Sequence, residues 1–328
     1  MGNPLEQRIA LRKSYHRNSI CWTRSTSLFS SESTTERTNI LFSRNRLEKT
    51  LERVMKAVFL QLASRTMSLP ARWVAMATSM ALLWACSPDR DSQTLVVGME
   101  LSYPPFEMTD ENNEPTGISV EMAIALADRM GKELRIENIP FAGLIPALKT
   151  GNIDLIISSM TRTEERAQSI DFSDPYLHTG LCILVSKNSE WERIDDIDQP
   201  GSKVAVKQGT TSHIYANAHL ENAEILLFDK ESAAALEVAQ GKVDAFIYDQ
   251  ISIYLNWKKH TDTTRALLNP FNNESWAIGV RKGNTELLEQ VNTFIEEFES
   301  SGGFDDLGDK YLSEQKREFK ELGFPFFF

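Results

Sequence analysis

Cysteine, histidine and long apolar runs are all scarce in this 328-residue chain, and each scarcity removes a class of function. Its three cysteines, Cys21, Cys86 and Cys182, fall at no metal-ligand spacing and form no CxxC, so a cysteine-based metal centre and a dithiol redox motif are excluded. The sequence shows no nucleophile–base pair and no His/Asp/Glu cluster. No catalytic residue, metal ligand or cofactor is therefore assigned. His213 is the one histidine in a loop of interest, and it reads as a helix surface residue. Basic charge is also in short supply where the fold should lie. Residues 1–85 hold 13 Lys/Arg against 5 Asp/Glu, but residues 86–328 hold 22 against 41. So acidic a body lacks the basic face that nucleic acid requires, and its charge reads as solubility. The longest apolar run, residues 73–85, falls short of the about 20 residues that span a bilayer, and no second run of spanning length follows.

That run, WVAMATSMALLWA, follows Arg65 and Arg72 and ends in small residues, as the apolar core of a secretory signal does. Leu83-Trp84-Ala85-Cys86 resembles a bacterial lipobox, in which the cysteine is lipidated and becomes the new N-terminus, although Trp84 is unusual in that pattern. The alternative is an ordinary signal peptide with Cys86 as a bystander. Residues 1–66 are rich in Ser, Thr and Arg and lack an apolar period. They read as a disordered leader or an overextended start, with Met67 as the start the signal implies and Met55 as second choice. The mature chain is then soluble or lipid-tethered.

Beyond the signal the pattern alternates strands and helices. Leu95–Gly98 reads as a strand leading into a loop, Met99–Phe106, with Pro104-Pro105. Val120, Ala123, Ile124 and Ala127 recur at helical spacing, with Ser119 as expected N-cap and Gly131 as stop. Leu134 and Ile136 mark a half-buried strand, Leu144–Lys149 a helix and Ile153–Ile157 a buried strand. This order indicates an α/β layer with a doubly wound sheet. The cassette then recurs: Lys149-Thr-Gly-Asn-Ile-Asp-Leu-Ile-Ile157 parallels Ala239-Gln-Gly-Lys-Val-Asp-Ala-Phe-Ile247. The second copy brings its own strand at Val204–Val206, a loop at Gln208–Ser212, a helix and a strand at Ile225–Phe228. Two α/β units of one design thus lie in tandem. Cys182, within the apolar run Leu181–Val185, reads as a buried strand thiol. Glu274–Arg281 is strand-like, Leu287 to Phe298 mark an amphipathic helix, and Phe304–Leu312 a last one. The apolar tail Gly323–Phe328 has no local explanation.

Five segments together resemble one family, the amino-acid-binding proteins of ABC importers (bacterial extracellular solute-binding proteins, family 3). They are Tyr103-Pro-Pro-Phe-Glu107, Gly143-Leu-Ile-Pro146, Ser158-Ser-Met-Thr-Arg-Thr-Glu-Glu-Arg166, Ile170-Asp-Phe-Ser-Asp-Pro-Tyr176 and Gln208-Gly-Thr-Thr211, and the likeness covers residues 93–315. The resemblance implies a two-lobed periplasmic-binding-protein fold with two crossover strands. Lobe 1 would comprise 93–180 plus 275–328, and lobe 2 would comprise 181–274. It further implies a monomer in the periplasm or at the cell surface, lipid-anchored through Cys86, that hands a free amino acid to a membrane permease.

On that reading the ligand lies at the carboxyl ends of strands, where open α/β sheets bind small molecules. Arg166 is suited to grip a carboxylate with two parallel N–H bonds. Thr211 opens a helix whose N–H groups face the same anion. Asp249 is placed to take the ammonium, although it also stands where a helix N-cap would. Ser158, Ser159 and Thr161 supply further oxygens, and Tyr103 and Phe141 match aromatic positions that flank the ligand side chain. Glu100 matches an acidic position at the ligand's far end, which implies a cationic amino acid (Arg, Lys, ornithine or His) or, next, Gln. The competing reading is an enzyme on the same scaffold, a cyclohexadienyl (prephenate or arogenate) dehydratase, with Glu100 or Glu274 as general acid.

Overall fold

The computed structural model describes residues 93–326. The leader, the signal segment and Cys86 lie outside the described residues. The chain opens with β1 (Thr94–Met99), a small ribbon of β2 (Met108–Thr109) and β3 (Pro115–Thr116), α1 (Ile118–Arg129), β4 (Glu133–Asn138), α2 (Phe141–Lys149), β5 (Leu155–Ile156) and the one-turn α3 (Glu164–Ala167). A 17-residue strand follows, β6 (Ile170–Ser186). Then come α4 (Ile194–Ile197), β7 (Lys203–Lys207), α5 (Thr211–His219), β8 (Glu224–Phe228), α6 (Glu231–Ala239), β9 (Ala245–Asp249) and α7 (Gln250–Lys259). An 18-residue strand, β10 (Thr264–Arg281), precedes α8 (Thr285–Ser300), α9 (Gly303–Tyr311) and α10 (Ser313–Leu322).

The sheet order is β4-β1-β5-β10-β6-β9-β7-β8. β4, β1 and β5 pair in parallel, as do β8, β7 and β9. Between the two triplets β6 and β10 run antiparallel to each other. The ends of β6 serve different halves: Leu181–Val185 pairs with β9, whereas β10 meets β5 through Gly279 and Val280. This is the two-lobed α/β architecture with two crossover strands, and the tandem cassette of the sequence is its two parallel triplets.

The inner strands β1 and β7 are covered on both faces, which is why they are buried and apolar over most of their length, whereas the edge strand β4 alternates charged and apolar residues. Leu95, Val97 and Met99 point into one core and Val96 into another, the period-2 alternation of a strand. In the other half Val204 and Val206 face one core and Ala205 the opposite one. Cys182 is buried in β6, where desolvation pushes its thiol far up, as expected of an inert strand thiol.

Three local readings change. Ser119 is not the N-cap of α1. That position is Gly117, with φ 120°, and the Ser119 hydroxyl instead donates to Glu107 Oε2 at 2.7 Å. The strand expected over Ile153–Ile157 shortens to β5. A further helix, α10, follows α9, held by one fully buried residue, Phe319, whose ring stands 5.0 Å from that of Tyr254 on α7. Phe324 and Phe326 pack on the same cluster, each ring 6.2 Å from Phe319, so the described part of the apolar tail is docked.

Gly180 sits where the long strands cross, opposite Asn273. A Cβ there would stand 2.6 Å from Pro270 Cβ and 2.7 Å from the Asn272 carbonyl oxygen. Gly180→Ala therefore forces the two strands apart. Overpacking of this kind costs about 1–3 kcal/mol. Thermal unfolding should show a Tm lower by about 2–4 °C for each kcal/mol lost; an unchanged Tm would mean that the crossing yields freely.

Candidate ligand-binding site

The carboxyl ends of the parallel strands in both halves open on one cleft, as the topology of open α/β sheets dictates. From the first half come Glu100, just after β1, Phe141, the first residue of α2, and Ser158, Ser159, Thr161 and Arg166, which follow β5. From the second come Lys207 at the end of β7, Thr210 and Thr211 at the start of α5, and Tyr248 and Asp249 at the end of β9. Tyr103 and Glu107 approach from the loop after β1, and Glu274 and Trp276 from β10. All nine residues named from the sequence as ligand-contacting line this cleft.

Arg166 is held rather than free. Thr163 caps its short helix, accepting from Arg166 N at 3.2 Å. The Arg166 guanidinium is buried and donates from Nη1 to the Thr161 carbonyl at 2.7 Å and from Nη2 to the Gly209 carbonyl, across the cleft, at 3.0 Å. A guanidinium has five N–H donors, so others remain for a ligand. Desolvation lowers its pKa, opposed chiefly by the nearby Glu274 charge, but neither neighbour it bonds to is an anion. Its Cζ lies 5.5 Å from the Phe141 ring centroid.

A set of carboxyls lies in or behind the same cavity wall. Asp249 caps α7, accepting from Ser252 N at 3.0 Å, so the N-cap and the cleft-lining readings of this residue both hold. Burial pushes its carboxyl up to about 6. Behind it Glu231, buried and bonded by the Ser252 hydroxyl, is pushed up to about 7 for the same reason. Glu274 accepts from the Thr161 hydroxyl at 3.0 Å through Oε2, while its buried Oε1 has no hydrogen-bond partner. Burial raises its pKa against the nearby Thr211 and Thr161 hydroxyls.

Two charged residues do not behave as the sequence suggested. Glu100 was expected to wait for the cationic end of a ligand; instead its carboxylate is ion-paired with the Lys207 ammonium, both groups nearly out of solvent. Glu107 carried only a place in a motif. It is buried and surrounded by the hydroxyls of Ser119, Ser158 and Ser159 at 2.7, 3.2 and 3.1 Å. Burial outweighs those three bonds and pushes its pKa up to about 8. Ser158 also accepts from Glu100 N at 3.0 Å, and Ser159 adopts φ 47°, a left-handed conformation rare for serine. Ser158 and Ser159 are thus tied into the cleft wall. Lys207 had one available signal, a lysine closing the buried strand Val204-Ala-Val206 just before the Gln208–Thr211 motif. His213 accepts from Gly209 N at 3.3 Å on the first turn of α5. Among the described residues no group of three or more His, Cys, Asp or Glu could hold a metal ion.

Residues 95–314 match the model of the bacterial extracellular solute-binding proteins, family 3. The chain belongs to this family. It is 30% identical over 223 residues to the L-cystine-binding protein TcyJ of Escherichia coli (strain K12), covering 68% of this chain and 84% of TcyJ. To the L-arginine-binding protein of Pseudomonas aeruginosa it is 31% identical over 229 residues, 66% of this chain and 87% of that one. An ancestral arginine-binding protein bound to arginine matches the fold with TM-score 0.63 at 36% identity, over 67% of this chain and 98% of that structure. The curated relatives named here are binding proteins for amino acids. No helix among the described residues is long and apolar enough to cross a membrane.

The buried carboxyls give stability a definite pH dependence. Glu107 shifts from 4.5 to about 8, so between these values the folded state holds more protons than the unfolded one. Stability then falls as pH rises through that window. Asp249, raised to about 6, and Glu231, raised to about 7, act in the same direction lower down. The Tm of the ligand-free protein should fall between about pH 5 and 8, and Glu107→Gln should flatten the upper part of the fall. A wild-type Tm constant across this range would show that Glu107 ionises normally.

Proposed function

We propose that the chain captures a free polar amino acid between its lobes outside the cytoplasm and delivers it to a membrane permease. The observation that carries this reading is Arg166: a buried cation lining the cleft, hydrogen-bonded only to carbonyls, in a cavity that the buried carboxyls of Asp249 and Glu274 also line. A buried charge normally has an ionic partner, and an α-carboxylate would supply one. Arg166 and the first-turn N–H groups of α5, beginning at Thr211, grip that carboxylate. The ammonium lies between Asp249 and the unpartnered Oε1 of Glu274. Thr161, whose proton goes to Glu274, offers lone pairs to the same ammonium. Tyr103 and Phe141 flank the ligand side chain, and Ser158 and Ser159 hold the wall that Glu100 and Glu107 form.

The two lobes close on the ligand. Arg166 belongs to one half of the sheet and Thr211 and Asp249 to the other, so only the closed form satisfies both ends of an amino acid, and a ligand shifts the equilibrium by that difference. The hinge segments are Leu177–Leu181 and Asn272–Ser275, which lie side by side in β6 and β10. Arg166→Ala leaves the ligand carboxylate buried without its partner, a loss of about 3–5 kcal/mol, or two to three decades or more in affinity. Calorimetry with free amino acids measures this, and small-angle scattering should show a smaller radius of gyration with ligand for wild type only. Affinity within a few-fold of wild type would remove Arg166 from the site.

We also propose that the protein is tethered to the membrane through Cys86, a reading supported by the apolar run at 73–85 and the Leu83–Cys86 motif. Expressed in a bacterium from Met67, it should partition into detergent and carry lipid on its N-terminal fragment, and Cys86→Ser should release or misprocess it. An unmodified Cys86 in the mature protein, seen by mass spectrometry, would rule out the tether.

A further inference from the structure

The environment expected to hold a cationic ligand side chain already contains a cation of the protein's own. Lys207 leaves the end of β7, pairs with Glu100 across the cleft, and places Nζ 5.6 Å from the Phe141 ring centroid. Its side chain is 3% exposed and that of Glu100 13%, so the pair is screened little by solvent. The backbone fixes the origin of this side chain, because the Lys207 carbonyl accepts from the Thr210 hydroxyl at 2.6 Å in the turn that starts α5.

The other carboxyls are engaged elsewhere. Asp249 and Glu274 face the ligand ammonium on the reading above, and Glu107 is tied to its three serines. What remains for the far end of the ligand is one anion and one cation, together neutral, offering an acceptor and a donor side by side. A guanidinium or a second ammonium would gain Glu100 but meet Lys207 as a like charge in a buried site, and such juxtapositions cost several kcal/mol. Exclusion by an unfavourable charge is a common route to specificity.

Resting on the amino-acid reading above, we propose that Lys207 acts as a built-in counter-cation that rejects cationic amino acids and selects ligands whose far end is uncharged overall and both donates and accepts hydrogen bonds. Two ligand types carry that chemistry: a carboxamide, as in glutamine, and a second aminocarboxylate head, as in cystine. The cationic class implied by Glu100 alone is therefore replaced by the neutral polar class.

The test is calorimetry of the full chain with glutamine, cystine, arginine and lysine. Wild type should bind glutamine or cystine about tenfold or more tighter than arginine and lysine, and which of the two binds tighter identifies the source. Lys207→Met bares Glu100, and its ratio of arginine to neutral-ligand affinity should rise by about tenfold or more. Should the bare buried carboxylate prevent folding, the double variant Glu100→Gln with Lys207→Met removes both charges, and its preference should shrink to within a few-fold. Tighter binding of arginine or lysine by wild type overturns the proposal, as does an affinity ratio unmoved in every folded variant. Binding of none of the four by folded wild type overturns the amino-acid reading itself, and this proposal with it.

Discussion

The antiparallel ladder of β6 and β10 is the constraint on which the rest of this structure depends. These two strands are the shared centre of both halves, pairing from Thr264↔Ser186 at one end to Arg281↔Ile170 at the other. They set the two parallel triplets at a fixed register, so that the carboxyl ends of β1 and β5 face those of β7 and β9. A cleft between α/β layers follows from that alone. Because β10 also contributes Glu274 and Trp276 to the cavity wall, the connecting element and the binding surface are one piece of chain. Any movement between the halves must therefore pass beside the residues that would meet the ligand.

Two contacts of buried charged groups cross the cleft. Arg166 reaches the Gly209 carbonyl, and Glu100 pairs with Lys207. The carboxyls of Glu107, Asp249 and Glu274 are raised first by desolvation, with hydrogen bonds and cations only partly offsetting it. Such a site is poised for a zwitterion. On the function proposed above, a ligand with one carboxylate and one ammonium would supply ionic partners to Arg166 and Glu274, and breaking such a buried pairing is expensive.

Several elements escaped local reading for identifiable reasons. The long strands β6 and β10 contain Pro175, Gly180, Pro270 and Asn272-Asn273, residues that normally signal turns. Register shifts between Leu267 and Asn272, and around Ala277, absorb them without ending the strand. α10 is too polar to announce itself as a core helix, since Phe319, packed on Tyr254, is its one buried residue. Ser119 has the chemistry of an N-cap, yet a nearer claim on its hydroxyl comes from Glu107, twelve residues away.

The gathering of Arg166, Asp249, Thr211 and Glu100 at one cleft was implied by the family resemblance of the motifs, whereas the sequence by itself determined the α/β class and the duplicated cassette. These follow from period-2 and helical burial patterns, glycine stops and motif spacing, all properties of short contiguous segments. Only the tertiary structure decided what the charges do. Glu100 and Lys207 are separated by 107 positions and belong to different halves, so no local pattern couples them. Whether Glu100 is a vacant anion or a neutralised one depends on how closely two sheets approach, and that distance is set by the β6–β10 ladder rather than by either residue's neighbours in the chain.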